Sequence, residues 1–315
     1  MTDIAIDIQR RRPRFTRATE LPLMQITDRD AEMVRHVAVH RFLRSTQISK
    51  LLDAPHKKVI ERLSLLYHAN YLDRPRAQLE YHVRGGGSEA MVYALGSEGA
   101  RLLAERNGFN LTYSDWTRKN RDTGREFILH SLAVADIAVA LTTECRTHNG
   151  IKIHHPAQLL AALPEHTRQE QRPWSLRVRV QNNGTTRDIG VFPDYVFALY
   201  LPDGRRRPFF VECDRGTMPV MRANLDQTSM LRKFLAYEAV RQQGLHTSRY
   251  GWQNFRVLIT TTSAERIDTM RSVIASTPAL KSSPLFLFAS HSSVVEADIL
   301  VHPWVDAIGT AHTLI

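Results

Sequence analysis

From Thr27 onward the apolar residues fall at helical spacing. Met33, Val34, Val37 and Leu43 recur at roughly helical intervals, with Thr27 placed as a cap and Asp28 and Asp30 at the positive end of the helix. Ser45 or Thr46 caps a short second helix in which Ile48, Leu51 and Leu52 face one way. Asp53-Ala54-Pro55 breaks that helix and starts a third, His56 to about Asn70, striped by Val59, Ile60, Leu63, Leu66 and Tyr67. The opposite face of this third helix presents His56, Lys57, Lys58, Glu61 and Arg62. After Tyr71-Leu72-Asp73-Arg74-Pro75 the pattern becomes extended, turns at Gly85-Gly86-Gly87 and resumes over Met91-Val92-Tyr93-Ala94-Leu95, which predicts a hairpin. Ser97 then caps a helix from Glu98 to Arg106.

Residues 107–125 are polar and basic, include Asn110, Ser114, Asp115 and Asn120, and predict a linker. Glu126 opens a helix to about Thr147 that is apolar on most sides and so calls for burial. Glu126 and His130 sit one turn apart on one face of it, and Asp136 is its other internal charge. Beyond, Leu176, Val178 and Val180 alternate with Arg177 and Arg179 as in a strand. A second strand lies within 189–201, entered through Pro193-Asp194, and a third runs from Arg207 to Asp214. A helix from Met221 to about Gln243 carries Arg232, Lys233 and Tyr237; a strand at 255–260, a helix from Ala264 and a strand at 285–288 follow. The order helix, three strands, helix, strand belongs to the α/β (α+β) class.

Composition changes this picture in two places. The 315 residues suffice for two domains, and no apolar run approaches the eighteen or so residues of a membrane span, so no membrane partner is expected. The cysteines Cys145 and Cys213 have no metal-binding spacing, and a reducing cytoplasm fits them best. The formal charge of +10 is unevenly spread: residues 1–125 hold 22 Lys/Arg against 15 Asp/Glu, and the rest 20 against 17. That excess points to a polyanion for the N-terminal part. Residues 1–24, with Arg10-Arg11-Arg12-Pro13-Arg14-Phe15-Thr16-Arg17, read as a basic disordered arm, lying along DNA or simply solvated. His154-His155 and His291 have no zinc-like spacing, and the glycine triplet lacks the Lys-Ser/Thr of a phosphate cradle.

Three helices followed by a hairpin is the order of a winged helix-turn-helix, over residues 25–106. The phrases Asn70-Tyr71-Leu72 and Val92-Tyr93-Ala94-Leu95-Gly96-Ser97-Glu98-Gly99 resemble those of bacterial winged-helix domains. In that fold the third helix enters the major groove, which makes His56, Lys57, Lys58 and Arg62 candidate contacts to double-stranded DNA, with Arg74, Arg76 and Arg84 from the wing. Some domains of this kind bind protein instead, and the residues leave that reading open.

In residues 126–315, Pro193-Asp194 followed eighteen residues later by Glu212-Cys213-Asp214 resembles the PD-(D/E)xK nuclease superfamily, an αβββαβ restriction-endonuclease-like core. Val211-Glu212-Cys213-Asp214-Arg215-Gly216-Thr217, with Leu129-His130-Ser131-Leu132-Ala133-Val134-Ala135-Asp136 and the domain before it, resembles the plasmid replication-relaxation family over about residues 25–275. The resemblance implies DNA processing on a plasmid or other mobile element, with a relaxase or replication protein among the partners and a homodimer left open. Phosphodiester cleavage needs a divalent cation, Mg²⁺ or Mn²⁺, and Asp194, Glu212 and Asp214 are the carboxylates to hold it. Glu126 and His130 are further catalytic candidates. The superfamily's lysine is replaced by Asp214; Lys233 on the next helix is the substitute, and Arg215 is the nearer cation. Two readings therefore stand: an accessory DNA-binding protein whose carboxylates are neutralised by ion pairs, and a metal-dependent endonuclease.

Overall fold

A computed structural model describes residues 14–20, 23–81, 90–107, 116–182, 184–222 and 224–315. The protein is mixed α/β and divides into two compact units, Met1–Ala135 and Asp136–Ile315.

The first unit runs α1 (Asp28–His40), β1 (Phe42–Arg44), α2 (Ser45–Leu51), α3 (His56–His68), β2 (Leu72–Asp73), a 3₁₀ turn (Arg76–Tyr81), β3 (Val92–Leu95), α4 (Ser97–Asn107) and α5 (Trp116–Arg121), and ends within α6 (Arg125–Thr147). Thr27 and Asp30 form a reciprocal cap, the Asp30 amide donating to Thr27 and the Thr27 amide to the Asp30 carboxylate. α1 stops at Arg41, whose φ of 67° leaves the helical region. That break puts Leu43 in a strand instead of on the first helix, and β1 joins a three-stranded antiparallel sheet in the order β1-β3-β2. Phe42, Val92 and Ala94 of this sheet form one apolar cluster with Ile128 and Leu132 of α6.

Two glycines explain the phrase that ends α3 and begins α4. The Asn70 carbonyl accepts from Glu98 N, and Tyr71 O from Gly96 N, so the two chain segments touch backbone to backbone. A Cβ at Gly96 would lie 2.2 Å from Asn70 O, and one at Gly99 2.1 Å from Tyr71 O. No other residue fits either place.

Three expectations for this unit change. The stretch after Pro75 is a 3₁₀ turn where an extended strand was expected; Gln78 holds it by bonding both the amide and the carbonyl of Val92. The wing tip Gly85-Gly86-Gly87, with His82 and Arg84, lies outside the described residues. Residues 14–20 of the expected disordered arm are docked: the Arg17 guanidinium sits 4.4 Å over the Tyr67 ring and pairs with Asp73 at 3.1 Å, and Ala18 N donates to His68. Residues 1–13 lie outside the described set. In the expected linker, residues 116–121 form α5, and its Asn120 is buried, taking a 2.6 Å bond from Arg41 and donating to Leu95 O and Asp73. Asn110, Ser114 and Asp115 lie outside the described residues.

The second unit takes up α6 at Asp136 and continues β4 (Lys152–His154), α7 (Pro156–Ala161), α8 (Glu165–Arg168), β5 (Leu176–Asn182), β6 (Thr185–Val191), β7 (Tyr195–Tyr200), β8 (Arg206–Cys213), α9 (Met230–Gln242), α10 (Leu245–Tyr250), β9 (Arg256–Thr261), α11 (Ala264–Ser276), β10 (Phe286–Ser290), α12 (His291–Glu296), β11 (Trp304–Asp306) and β12 (Ala311–His312). The main sheet has seven strands in the order β12-β11-β10-β9-β8-β7-β4, with β8, β9 and β10 parallel and the other neighbours antiparallel. Val196, Phe210, Val257, Ile259, Phe286 and Phe288 on one face pack with α9, α11 and the β5–β6 hairpin.

Here too the sequence pattern needs correcting. The alternating run at 176–180 belongs to the separate β5–β6 hairpin, and 189–201 contains parts of two strands broken at Pro193. The helix begins at Met230, where Ser229 caps it, nine residues after the expected Met221. β4, β11 and β12 lack the alternation that reveals longer strands. By length and composition α6 is apolar enough to cross a membrane, contrary to the expectation that no run is. Ile128, Leu132, Ile137, Ala138 and Leu141 on it are buried within the protein.

Candidate site: a cation-locked carboxylate cluster

β8 and the residues at its C-terminal end carry the chemistry. Tyr195 pairs with Val211 in the antiparallel β7–β8 ladder, so Asp194, one residue before β7, falls opposite Glu212. The Asp194 amide donates to Val211 O, and its carboxylate accepts from Cys213 N at 2.8 Å. Glu212 shares the pleat face of Phe210, which turns it toward α9. There one oxygen takes the Lys233 ammonium and the other accepts from Tyr237 at 2.6 Å. Lys233 and Tyr237 lie four residues apart, one turn of α9, so one helix face meets both oxygens.

Asp214 continues the strand, its amide donating to Thr260 O at 2.8 Å. Its carboxylate is clamped by the Arg266 guanidinium through both oxygens and accepts from Thr261 at 2.6 Å. Arg266 also donates to Met218 O and is delivered by the first turn of α11, which Ser263 caps. A two-pronged guanidinium–carboxylate contact is among the strongest ion-pair geometries.

Burial sets the energetics. Glu212 is 1% and Asp214 8% exposed. Removal from water, with the Asp194 charge adding to it, pushes Glu212 up to about 7 against the pull of Lys233. Burial works against the Lys233 charge, yet Glu212, Asp194 and Asp214 together outweigh it and raise its pKa. One ammonium thus answers to all three carboxylates. Burial also pushes the Cys213 thiol up, and Cys213 occupies the other side of the strand.

Asp194, Glu212, Asp214 and Lys233 are therefore brought together. Glu126 and His130 fall within Met1–Ala135, Glu126 exposed and His130 half-buried. Arg266 and Tyr237 are the partners that sequence reasoning missed. Arg266 stands 52 residues from Asp214, and nothing local to a surface-like helix start announces such a contact. On the sheet's other side His291 bonds Thr260 at 3.3 Å and Asp136 at 3.5 Å, so the isolated-looking His291 has partners after all. His154 stacks on Tyr200, and His155 bonds Tyr195. Glu144, His148 and Asp298 form a second group whose ligand-type atoms lie within 4.8 Å, with His148 and Asp298 already paired at 2.6 Å.

In the first unit, Lys57 and Lys58 are exposed in the first turn of α3, and His56 bonds Ser45 at 3.0 Å. Arg62 behaves differently. It forks onto Asp30 with two 2.6 Å bonds, a third going to Gln25 O, and so ties α3 to the cap of α1. Arg74 lies 4.1 Å over the Tyr67 ring and bonds Tyr93 and the Arg14 carbonyl. Arg76 is exposed, and Arg84 lies outside the described residues.

Residues 34–255 match the replication-relaxation family. The chain belongs to that family. The match takes in α3 with its lysines and, in the second unit, Asp194, Glu212, Asp214 and Lys233, while Arg266 lies beyond it. Membership of the replication-relaxation family connects the protein with replication or relaxation of mobile elements. No curated protein and no solved structure matches the chain.

Proposed function

We propose that the protein is an accessory factor of a plasmid or other mobile element. Its first unit is a winged helix-turn-helix that recognises duplex DNA, and its second a PD-(D/E)xK-like core that holds DNA or a partner such as a relaxase. The observation that carries this reading is the pair of exposed lysines, Lys57 and Lys58, in the first turn of α3, on a domain whose charge is strongly positive. A gel-shift titration tests it. Lys57→Ala with Lys58→Ala is expected to weaken duplex binding about tenfold or more at physiological salt with an unchanged melting temperature. Binding equal to that of the unaltered protein overturns it.

In the second unit, Asp214 is unsuited to a metal, because Arg266 occupies both its oxygens. That supports a cluster neutralised by its own cations. A second reading is favoured by one geometry: Asp194 opposite Glu212 with Lys233 reaching in from α9 is the acid–acid–lysine set of a nuclease whose lysine has moved. Asp194 and Glu212 would be the oxygen donors for Mg²⁺ or Mn²⁺, with Lys233 or Tyr237 giving up a Glu212 oxygen, and the ion would supply an activated water and charge neutralisation at phosphate. Supercoiled plasmid incubated with Mn²⁺ separates the two readings. Nicking abolished by Asp194→Ala and by Glu212→Ala, and kept by the exposed Glu265→Ala, establishes the nuclease; intact plasmid leaves the accessory factor.

A further inference from the structure

The end of the main sheet away from the carboxylates carries a half-open cavity of about 1100 Å³ between the β7–β8 turn, the starts of β8 and β9, the loop after α10, and β12. Five arginines line it, Arg205, Arg206, Arg207, Arg241 and Arg256, and none of its lining residues is acidic. Arg205 is paired with Asp203 and Arg241 with Glu238. The other three have no carboxylate partner among the described residues: Arg207 donates to Leu314 O, Arg256 to Pro284 O, and Arg206 lies 5.9 Å from the Trp252 ring. A carbonyl accepts a hydrogen bond without cancelling the charge, so only the longer-range pull of Asp203 on Arg207 and of Asp306 on Arg256 offsets these half-buried cations.

Burial and the neighbouring cations Arg205 and Arg256 also lower the Arg207 pKa, against Asp203; an anion in the cavity would relieve that crowding.

We propose that this cavity binds phosphate, from a nucleotide or from a strand of DNA. Planar guanidinium groups fork onto phosphate oxygens, and half-burial makes each such bond stronger than it is in water. The volume exceeds what a lone inorganic anion needs and suits a ligand of nucleotide size. Glu212 lies five residues along β8 from Arg207, on the order of 15 Å away, so the two sites are separate.

The test uses the full chain and two fluorescent probes, a short single-stranded oligonucleotide and an adenosine triphosphate analogue, followed by anisotropy. Arg207→Gln with Arg256→Gln is expected to weaken binding about tenfold or more and to lower the salt slope by about 0.7 for each strand phosphate no longer neutralised. Loss for the oligonucleotide alone identifies a DNA strand, and loss for both probes a nucleotide. If that double variant does not fold, Arg206→Gln, whose side chain meets only a ring among the described residues, is expected to weaken binding at least threefold at an unchanged melting temperature. Lys57→Ala with Lys58→Ala leaves the nucleotide affinity unaltered, which keeps this site distinguishable from the first unit. Unaltered affinity in folded glutamine variants, or no binding of either probe by the natural chain, overturns the proposal.

Discussion

Glu212 and Lys233 contest a proton in a place with almost no water. A carboxyl whose pKa rises from 4.5 in the unfolded chain to about 7 in the fold binds a proton on folding between those values. Its contribution is therefore fully present below about 4.5, is lost as pH climbs to about 7, and is flat above. For a single group the loss is on the order of 3 kcal/mol. Urea melts between pH 5 and pH 8 are expected to show the decline, and Glu212→Gln to remove it. Asp214 is clamped by Arg266, and Arg266→Ala leaves that buried carboxylate without its ion-pair partner. A loss of about 3–5 kcal/mol is expected in a thermal melt. Arg62→Ala should cost about 2–3 kcal/mol by orphaning Asp30, which makes Arg62 a structural residue even though its helix position reads as groove-facing.

Among the elements, those with strong periodicity are the ones that pattern reveals. α1, α3, α4 and α6 stand close to where their apolar stripes put them, and β8 with Glu212 and Asp214 is legible from its spacing to Asp194. The short strands are not, because two or three residues cannot display an alternation: β1 is set by the turn at Arg41 and by its pairing with β3. α9 starts later than its pattern suggests: Met221 and Leu225 continue the apolar spacing ahead of the helix, and the cap that fixes its start is Ser229. The junction of α3 with α4 is recognisable as a phrase, but its cause is steric and appears only in three dimensions. Gly99→Ala forces a methyl against the Tyr71 carbonyl and is expected to destabilise the first unit by about 1–3 kcal/mol, read by chemical denaturation.

For the whole molecule, the limits of the first unit matter more than its helix count. A fragment of residues 25–106 lacks Arg17, which stacks on Tyr67, Asn120, which satisfies Leu95 O and Asp73, and Ile128 and Leu132, which complete the cluster around Phe42. Residues 1–135 are expected to give dispersed amide resonances in a nuclear magnetic resonance spectrum, and 25–106 to give collapsed ones. Charge asymmetry points to the basic first unit, whereas the arginine cavity of the second is invisible in a sequence where its cations are spread from Arg205 to Arg256. Inheritance adds a further constraint at Gly96 and Gly99. In the standard genetic code every missense change of one nucleotide in a glycine codon installs a residue with a Cβ, so neither position has a neutral neighbour to drift through. Lineages carrying this gene should keep both codons specifying glycine even where the third base wanders freely.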